Sequence, residues 1–230
     1  MMTNKNLIVF IDSSTRRFYI AVRHIETKEV FSKTFTHKEL KGEALLSVIS
    51  DLFKAHGYAV EAIKLLCTTS GPGSLTGLRI CMSTIKTMAQ VLAIPVVTLP
   101  TLFALEASYV EEHQTTFEKV FTVLMARKNH YYIRERHQPE ESFQLMKTEE
   151  LLQKVHENAL YVVEQNSTPP DFCDKCNIKC VNIEMNPEII MELCLDKLIS
   201  GNVQNYLECL PEYGGKSVAE INFEKRHKQI

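Results

Sequence analysis

An apolar run, Ile63, Leu65, Leu66 and Cys67, gives way to Ser70-Gly71-Pro72-Gly73-Ser74, and a helix-period segment opens at once behind it. Strand, glycine turn and helix start in that order dictate a βα unit with a tight elbow. Gly71 and Gly73 can take φ above zero, Pro72 fixes its own φ, and Ser74 is a good N-cap. Such an elbow aims backbone N–H groups and the positive end of a helix at one spot, where anions are often bound. Two readings follow, a phosphate cradle or a rigid corner.

The elbow sits inside a regular order of elements. Leu7–Ile11, Phe18–Arg23 and Val30–Phe35 read as three strands joined by the turns Ser13–Arg16 and Glu26–Lys28. Leu45, Val48, Ile49, Leu52 and Phe53 recur at helical spacing within Glu39–His56, and Gly57 marks the stop. A strand over Ile63–Thr68, a helix over Ser74–Leu92, a strand over Pro95–Leu99 and a helix from Thr101 complete a βββαβαβα block. A second block opens near Lys119. A shift of 113 positions lays Phe10-Ile11-Asp12 on Val123-Leu124-Met125 and Phe18-Tyr19-Ile20 on Tyr131-Tyr132-Ile133, around a polar turn of equal length. Gln144–Met146, a helix over Thr148–His156, a strand over Leu160–Val163 and a helix over Pro187–Ile199 continue the same order. Gln165–Asn182, with Pro169-Pro170 and three cysteines, reads as loop, and the residues after Val218 as a polar, basic tail. The chain is therefore expected to be α/β, with mixed sheets flanked by helices. The expected division is an N-terminal lobe at 1–105, a reduced C-terminal lobe at 106–215 and a tail at 216–230.

The segment Ser70–Ile80, Ser-Gly-Pro-Gly-Ser-Leu-Thr-Gly-Leu-Arg-Ile, resembles the signature of the bacterial TsaB (YeaZ) family, an accessory subunit of the tRNA threonylcarbamoyladenosine machinery. Ile11-Asp12-Ser13-Ser14-Thr15 resembles that family's N-terminal Ile-Asp-Thr-Ser-Thr. Ile94–Val97 with Thr101–Leu105 is similar to a third family segment, so the resemblance covers residues 7–107. It implies the two-lobed actin/Hsp70/sugar-kinase-like fold, whose duplicated βββαβα layout agrees with the repeat above. The C-terminal half departs from the family. Pro211-Glu212-Tyr213 is followed by Gly214-Gly215 instead of Leu-Arg, and Cys81 and Ser83 stand where relatives carry glycines.

Formal net charge is −2, with both signs scattered along the chain. That is poor material for gripping a polyanion unaided, because nucleic-acid affinity comes mostly from basic patches. If tRNA is involved, it is expected to be held through a complex. The first apolar run is too short for a signal h-region or a membrane span, and seven cysteines fit a reduced interior. A cytoplasmic protein without a membrane segment is expected.

Chemistry is sparse. In ATP-using members of the superfamily that the resemblance points to, two hairpin turns clamp the phosphates and acidic residues beside them hold metal or act as base. Asp12, Ser13, Ser14 and Thr15 match the first turn, but Asp12 is equally a residue that ends a strand by closing a side-chain turn. The second turn begins Met125-Ala126-Arg127-Lys128, where relatives usually carry Asp-Ala-Arg. A thioether neither binds Mg²⁺ nor accepts a proton, so Asp12 to Thr15 read as a vestigial phosphate turn. Of the eight histidines no two are four residues apart, so the helical metal pair of the catalytic relative TsaD is missing. His37 reads as packing ahead of the first long helix. Cys173, Cys176 and Cys180 offer three thiols in one polar stretch, but tetrahedral zinc needs a fourth ligand, and ordinary reduced thiols are expected. No metal or cofactor is expected.

The helix over 74–92 is too apolar for one packing face. Thr76, Arg79, Ser83, Lys86, Thr87 and Gln90 share a polar sector, leaving about 220° of arc to apolar residues where roughly 100° suffices against a sheet. Either the helix over 39–56 covers the surplus, or a partner does. The resemblance implies the partner, because these two helices carry both the homodimer and the TsaD contact in the family. Leu45, Ile49, Leu78, Met82, Ile85 and Ala89 are then the expected interface residues, and Gly71, Pro72, Gly73 and Ser74 the signature loop. The expectation is a non-catalytic subunit that binds and activates a TsaD-like enzyme in forming N6-threonylcarbamoyladenosine at position 37 of tRNA. A TsaE-like ATPase would join the complex, and the chain alone would be a homodimer. The alternative is a small kinase of the same superfamily using Asp12 and the elbow. A peptidase is a third reading, opposed by the lack of a histidine metal pair or Ser/Cys dyad signature.

Overall fold

A computed structural model describes residues 5–40, 42–113, 115–165 and 179–214. The first sheet contains β1 (Leu7–Asp12), β2 (Arg17–His24), β3 (Val30–Thr36), β4 (Ile63–Gly71) and β5 (Val96–Pro100), in spatial order β3-β2-β1-β4-β5. The second contains β6 (Val120–Arg127), β7 (His130–Glu135), β8 (Gln144–Lys147), β9 (Leu160–Glu164) and β10 (Lys179–Ile183), in order β10-β9-β6-β7-β8. These orders are the same topology twice. In each sheet the first strand runs antiparallel to the second and parallel to the fourth, and the fifth runs parallel to the fourth. The weak sequence repeat is thus a duplicated fold unit.

Central strands are buried on both faces and read as unbroken apolar runs. Along β1, Leu7, Val9 and Ile11 join one core cluster with α1 (Leu45–Ala55) and α2 (Leu75–Leu92). The intervening Ile8 and Phe10 join another with α3 (Thr101–Val110) and α5 (Pro187–Ile199). That second cluster also takes in Leu124 and Tyr132 of the second sheet. The far face of the second sheet packs on α4 (Thr148–Gln153) through Tyr131, Met146 and Leu151. Five layers result: α1 and α2, first sheet, α3 and α5, second sheet, α4. Each large apolar side chain so buried contributes about 1.5–3 kcal/mol before entropy is counted.

Several boundaries differ from the sequence reading. The first long helix begins at Leu45, not Glu39. The Thr36 N–H donates to Glu39 Oε2 at 2.6 Å and the Glu39 N–H to the Thr36 carbonyl at 3.0 Å, closing a separate turn ahead of a 3₁₀ turn at Gly42–Ala44. The stretch expected to be loop at Gln165–Asn182 contains β10 from Lys179, which pairs in parallel with β9. Its other residues, Cys173 and Cys176 among them, lie outside the described ones. Cys180 is disulfide-bonded, against the expectation of reduced thiols, while Cys67, Cys81, Cys194 and Cys209 are free. The two hairpin turns are not equal in length: four residues separate β1 from β2, whereas two separate β6 from β7 beyond a bulge at Met125/Arg127. Among the described residues no helix is long and apolar enough to cross a membrane.

Beyond α5 the chain turns at Gly201 (φ +74°) and returns to the first sheet. Gln204 exchanges two backbone hydrogen bonds with Val96 at the β5 edge, of 3.0 and 2.8 Å, and Cys209 is fully buried in the α1–α2 cluster. Residues 202–214 thus pack on the lobe that the chain left a hundred residues earlier.

Candidate functional site

Asp12 ends β1 with no solvent exposure. Its Oδ2 accepts the Ser14 N–H and the Ser14 hydroxyl, both at 2.9 Å, and its Oδ1 accepts the Thr69 hydroxyl from β4. Burial raises the Asp12 pKa above its ordinary 3.8, and these hydrogen bonds offset only part of that. Ser13, Ser14 and Thr15 are also buried. His37 packs on this turn as expected, its ring near the Phe18 edge and its Nε2 2.9 Å from the Thr15 carbonyl.

The signature loop meets the same turn from the other side. Ser74 is the N-cap of α2, accepting the Gly77 N–H at 3.2 Å, while its own N–H donates to the Ser14 carbonyl at 2.7 Å. Three of its glycines admit a neighbouring backbone. A Cβ on Gly77 would overlap the Ser13 carbonyl, and one on Gly73 would lie 3.0 Å from the Ser14 carbonyl carbon. One on Gly71, at φ +114°, would lie 3.0 Å from the Glu212 carbonyl carbon. Pro72 is buried and follows a cis peptide bond. The elbow is filled by carbonyl groups of its own chain. Their partial negative charge is opposite to what a phosphate would need there.

Across the cleft, the second turn carries a bulge at Met125/Arg127 and closes through Asn129 (φ +60°). Arg16 spans the gap, with Nη2 4.0 Å from Met125 Sδ and its N–H donating to Glu164 Oε1 at 3.3 Å. Glu164 ends β9 and is buried. Sequence reading missed it, although a lone carboxylate closing an apolar strand was a signal. An interlobe cavity of about 330 Å³ lies beyond, lined by Ser70, Thr98, Glu140, Glu141, Glu208 and Glu212 among others. Lys197 pairs with Glu140 at 3.0 Å, so the charge left on an otherwise neutral lining is acidic and repels a polyphosphate. Among the described residues no three His, Cys, Asp or Glu side chains converge on a possible metal site.

The helix pair gives a different picture from the expected one. Leu45, Met82, Ile85 and Ala89 are buried in the cluster against the first sheet and Leu78 is buried near Gly71, while Ile49, also buried, borders the outward groove between the helices. A sheet-facing stripe cannot also face a partner. What α1 and α2 turn outward is a groove of about 390 Å³ between Leu46, Val60, Met88, Val91 and Leu92, with Ser83 and Thr87 beside them. Leu46 is 59% and Val91 77% exposed, which for large aliphatic side chains marks an uncovered apolar patch.

The duplicated topology and the facing hairpins define a two-lobed α/β protein of the actin, Hsp70 and sugar-kinase class. A family model described as TsaD, tRNA N6-adenosine threonylcarbamoyltransferase, matches residues 37–180, and the chain belongs to that family. Among solved structures, a Pseudomonas aeruginosa protein described as uncharacterized with similarity to peptidase YeaZ has a TM-score of 0.72 at 19% identity. It covers 91% of this chain and 100% of its own. YeaZ from Pseudomonas aeruginosa has a TM-score of 0.69 at 19% identity, covering 90% of this chain and 100% of its own. A Bacteroides thetaiotaomicron protein with an actin-like ATPase fold has a TM-score of 0.47 at 12% identity, over 84% of this chain and 96% of its own. Among curated proteins nothing matches.

Proposed function

We propose that the chain is a TsaB-type accessory subunit with a role in threonylcarbamoyladenosine formation on tRNA. It docks through the outer face of α1 and α2 onto a TsaD-like enzyme, which it activates. Family membership and the YeaZ-like fold support the pathway. The observation that carries the accessory role is the closed elbow: the turn that would cradle phosphate is occupied by the Ser13 and Ser14 carbonyl groups. Met125 opposite supplies no acid, and the cavity beyond is lined with carboxylates. The groove around Leu46 and Val91 is a surface that water covers poorly. In this reading the chain works in the cytoplasm, pairs with itself through the same helices when alone, and meets a TsaE-like ATPase and tRNA only within the complex.

The test is co-purification and titration with the TsaD-like subunit of the same organism, followed by tRNA modification assays. Val91→Asp and Leu46→Asp, both on exposed positions, should weaken the complex by at least about tenfold, since a charge there is stripped of water on docking. Absence of any complex with the unmodified chain refutes the reading. Tight Mg²⁺-dependent ATP binding that Asp12→Ala abolishes would favour the kinase alternative instead.

A further inference from the structure

The return segment after α5 joins parts of the molecule that are far apart in the layer order. Gln204 holds the β5 edge, with its side-chain Oε1 accepting the Thr98 hydroxyl at 2.8 Å. Lys86 of α2 donates to the Cys209 carbonyl at 3.1 Å. The Glu212 N–H donates to the Ser70 carbonyl at 2.6 Å, against a Gly71 that leaves room for nothing larger. At the far end, Tyr213 is held from both lobes. Its hydroxyl lies 3.5 Å from Arg79 Nε, and the Arg79 guanidinium sits 5.5 Å from its ring centre, a cation–π distance. Its carbonyl accepts the Tyr132 hydroxyl of β7 at 3.2 Å, and Gly214 sits so close to the Tyr132 ring that a Cβ there would lie 2.7 Å from its Cζ.

We propose that Gln204–Gly214 works as a strap that couples α2 to the second sheet, so that a change at β7 reaches the helix through Tyr213. The strap cannot slide freely, because Gln204 and Glu212 fix it to the first sheet on either side of the Cys209 anchor. Among the described residues, its far end bonds to the second sheet through Tyr132. Gln204, Glu208, Leu210 and Glu212 also line the interlobe cavity, so the strap borders that cavity on one side and α2 on the other. Any rearrangement that moves β7 relative to the first sheet pulls on Tyr213, and Tyr213 bears on Arg79 in the first turns of α2. This inference concerns the chain alone and stands apart from the partner reading. Spatial connection suggests coupling, and a double-mutant cycle measures it.

The experiment is hydrogen–deuterium exchange on the full chain, as the wild type, Tyr132→Phe, Arg79→Ala and the double variant. Tyr132→Phe keeps the ring and removes only the hydroxyl given to the Tyr213 carbonyl. It should speed exchange of amides in the first turns of α2 by about threefold or more, although the change was made in the other lobe. Arg79→Ala should do the same, and the double variant should exchange little faster than the faster single variant, since both release one residue. Tyr213→Phe, which keeps the ring, gives a second reading of the α2 side. Faster exchange confined to β6–β8 with α2 unchanged overturns the proposal. So does a strictly multiplicative effect of the two changes, or a rise spread evenly over every segment.

Discussion

Gly77 stands three residues into α2, where helix propensity and tertiary packing predict opposite signs for one substitution. Alanine at an exposed helical glycine stabilises by about 0.8–1 kcal/mol. Here the added Cβ would overlap the Ser13 carbonyl oxygen, at 2.7 Å from its carbon and 2.9 Å from the Ser13 hydroxyl. Ordinary contacts begin near 3.4 Å, and the obstruction is backbone, so no side-chain rotation relieves it. The turn must move, and it carries the bonds from Ser14 to Asp12 and from Ser74 to Ser14. Overpacking costs about 1–3 kcal/mol, and weakening two of these three hydrogen bonds adds about 1–3 more. After the propensity gain, Gly77→Ala should destabilise by roughly 1–5 kcal/mol, and its midpoint should fall by several degrees at about 2–4 °C per kcal/mol for a chain of this size. Thermal and urea unfolding of the purified chain measure it. A variant as stable as the wild type, or more so, would refute the account of the signature glycines as receivers of backbone.

Asp12→Asn should be tolerated and should remove a pH dependence. The amide oxygen can accept both Ser14 bonds while the NH₂ donates to the Thr69 hydroxyl, as a protonated Asp12 would. Because the folded pKa is raised, the stability that protonation of Asp12 provides is complete below about pH 3.8 and is lost as pH climbs through the raised folded value. Wild type should therefore lose stability relative to the Asn variant across that window, and unfolding curves that stay parallel there refute the assignment. Arg134→Met should cost up to about 3–5 kcal/mol, since it leaves Glu106, buried on α3 with its pKa already raised by burial, only the looser Arg136 pairing at 3.9 Å. That deficit should shrink in acid, where Glu106 takes up its proton, and should be recovered in large part by adding Glu106→Gln; a deficit indifferent to both would point to lost packing against Phe103 instead.

What the sequence disclosed follows from range of interaction. The centre of each sheet was legible because strands buried on both faces must be apolar throughout, as in Leu7–Ile11 and Leu160–Val163. The βα elbow was legible because Gly, Pro and an N-cap serine act locally. The start of α1 was not, since Glu39 looks helical until its carboxylate is seen closing a turn on Thr36. β10 is half exposed and lacks a clear apolar run, so only its pairing with β9 marks it as a strand. A fixed shift of 113 lays Tyr19 on Tyr132, and both face the core between the sheets, whereas Tyr131 faces α4. The helical wheel identified a surplus of apolar surface on α2, but the residues chosen from it were the sheet-facing ones. Amphipathic counting finds that a helix has two apolar sides without saying which side the sheet takes. Glu164 and the strap escaped notice because their meaning lies in contacts across more than a hundred residues.

The depth of the layer stack sets a bound on how this chain can influence anything it touches. A body resting on α1 and α2 is separated from the second sheet by one sheet and one helical layer, roughly 20 Å at usual spacings. Side chains of the second lobe cannot reach a reaction held on that outer face. Any influence of the second lobe on that face has to pass through the packing of the two layers between them.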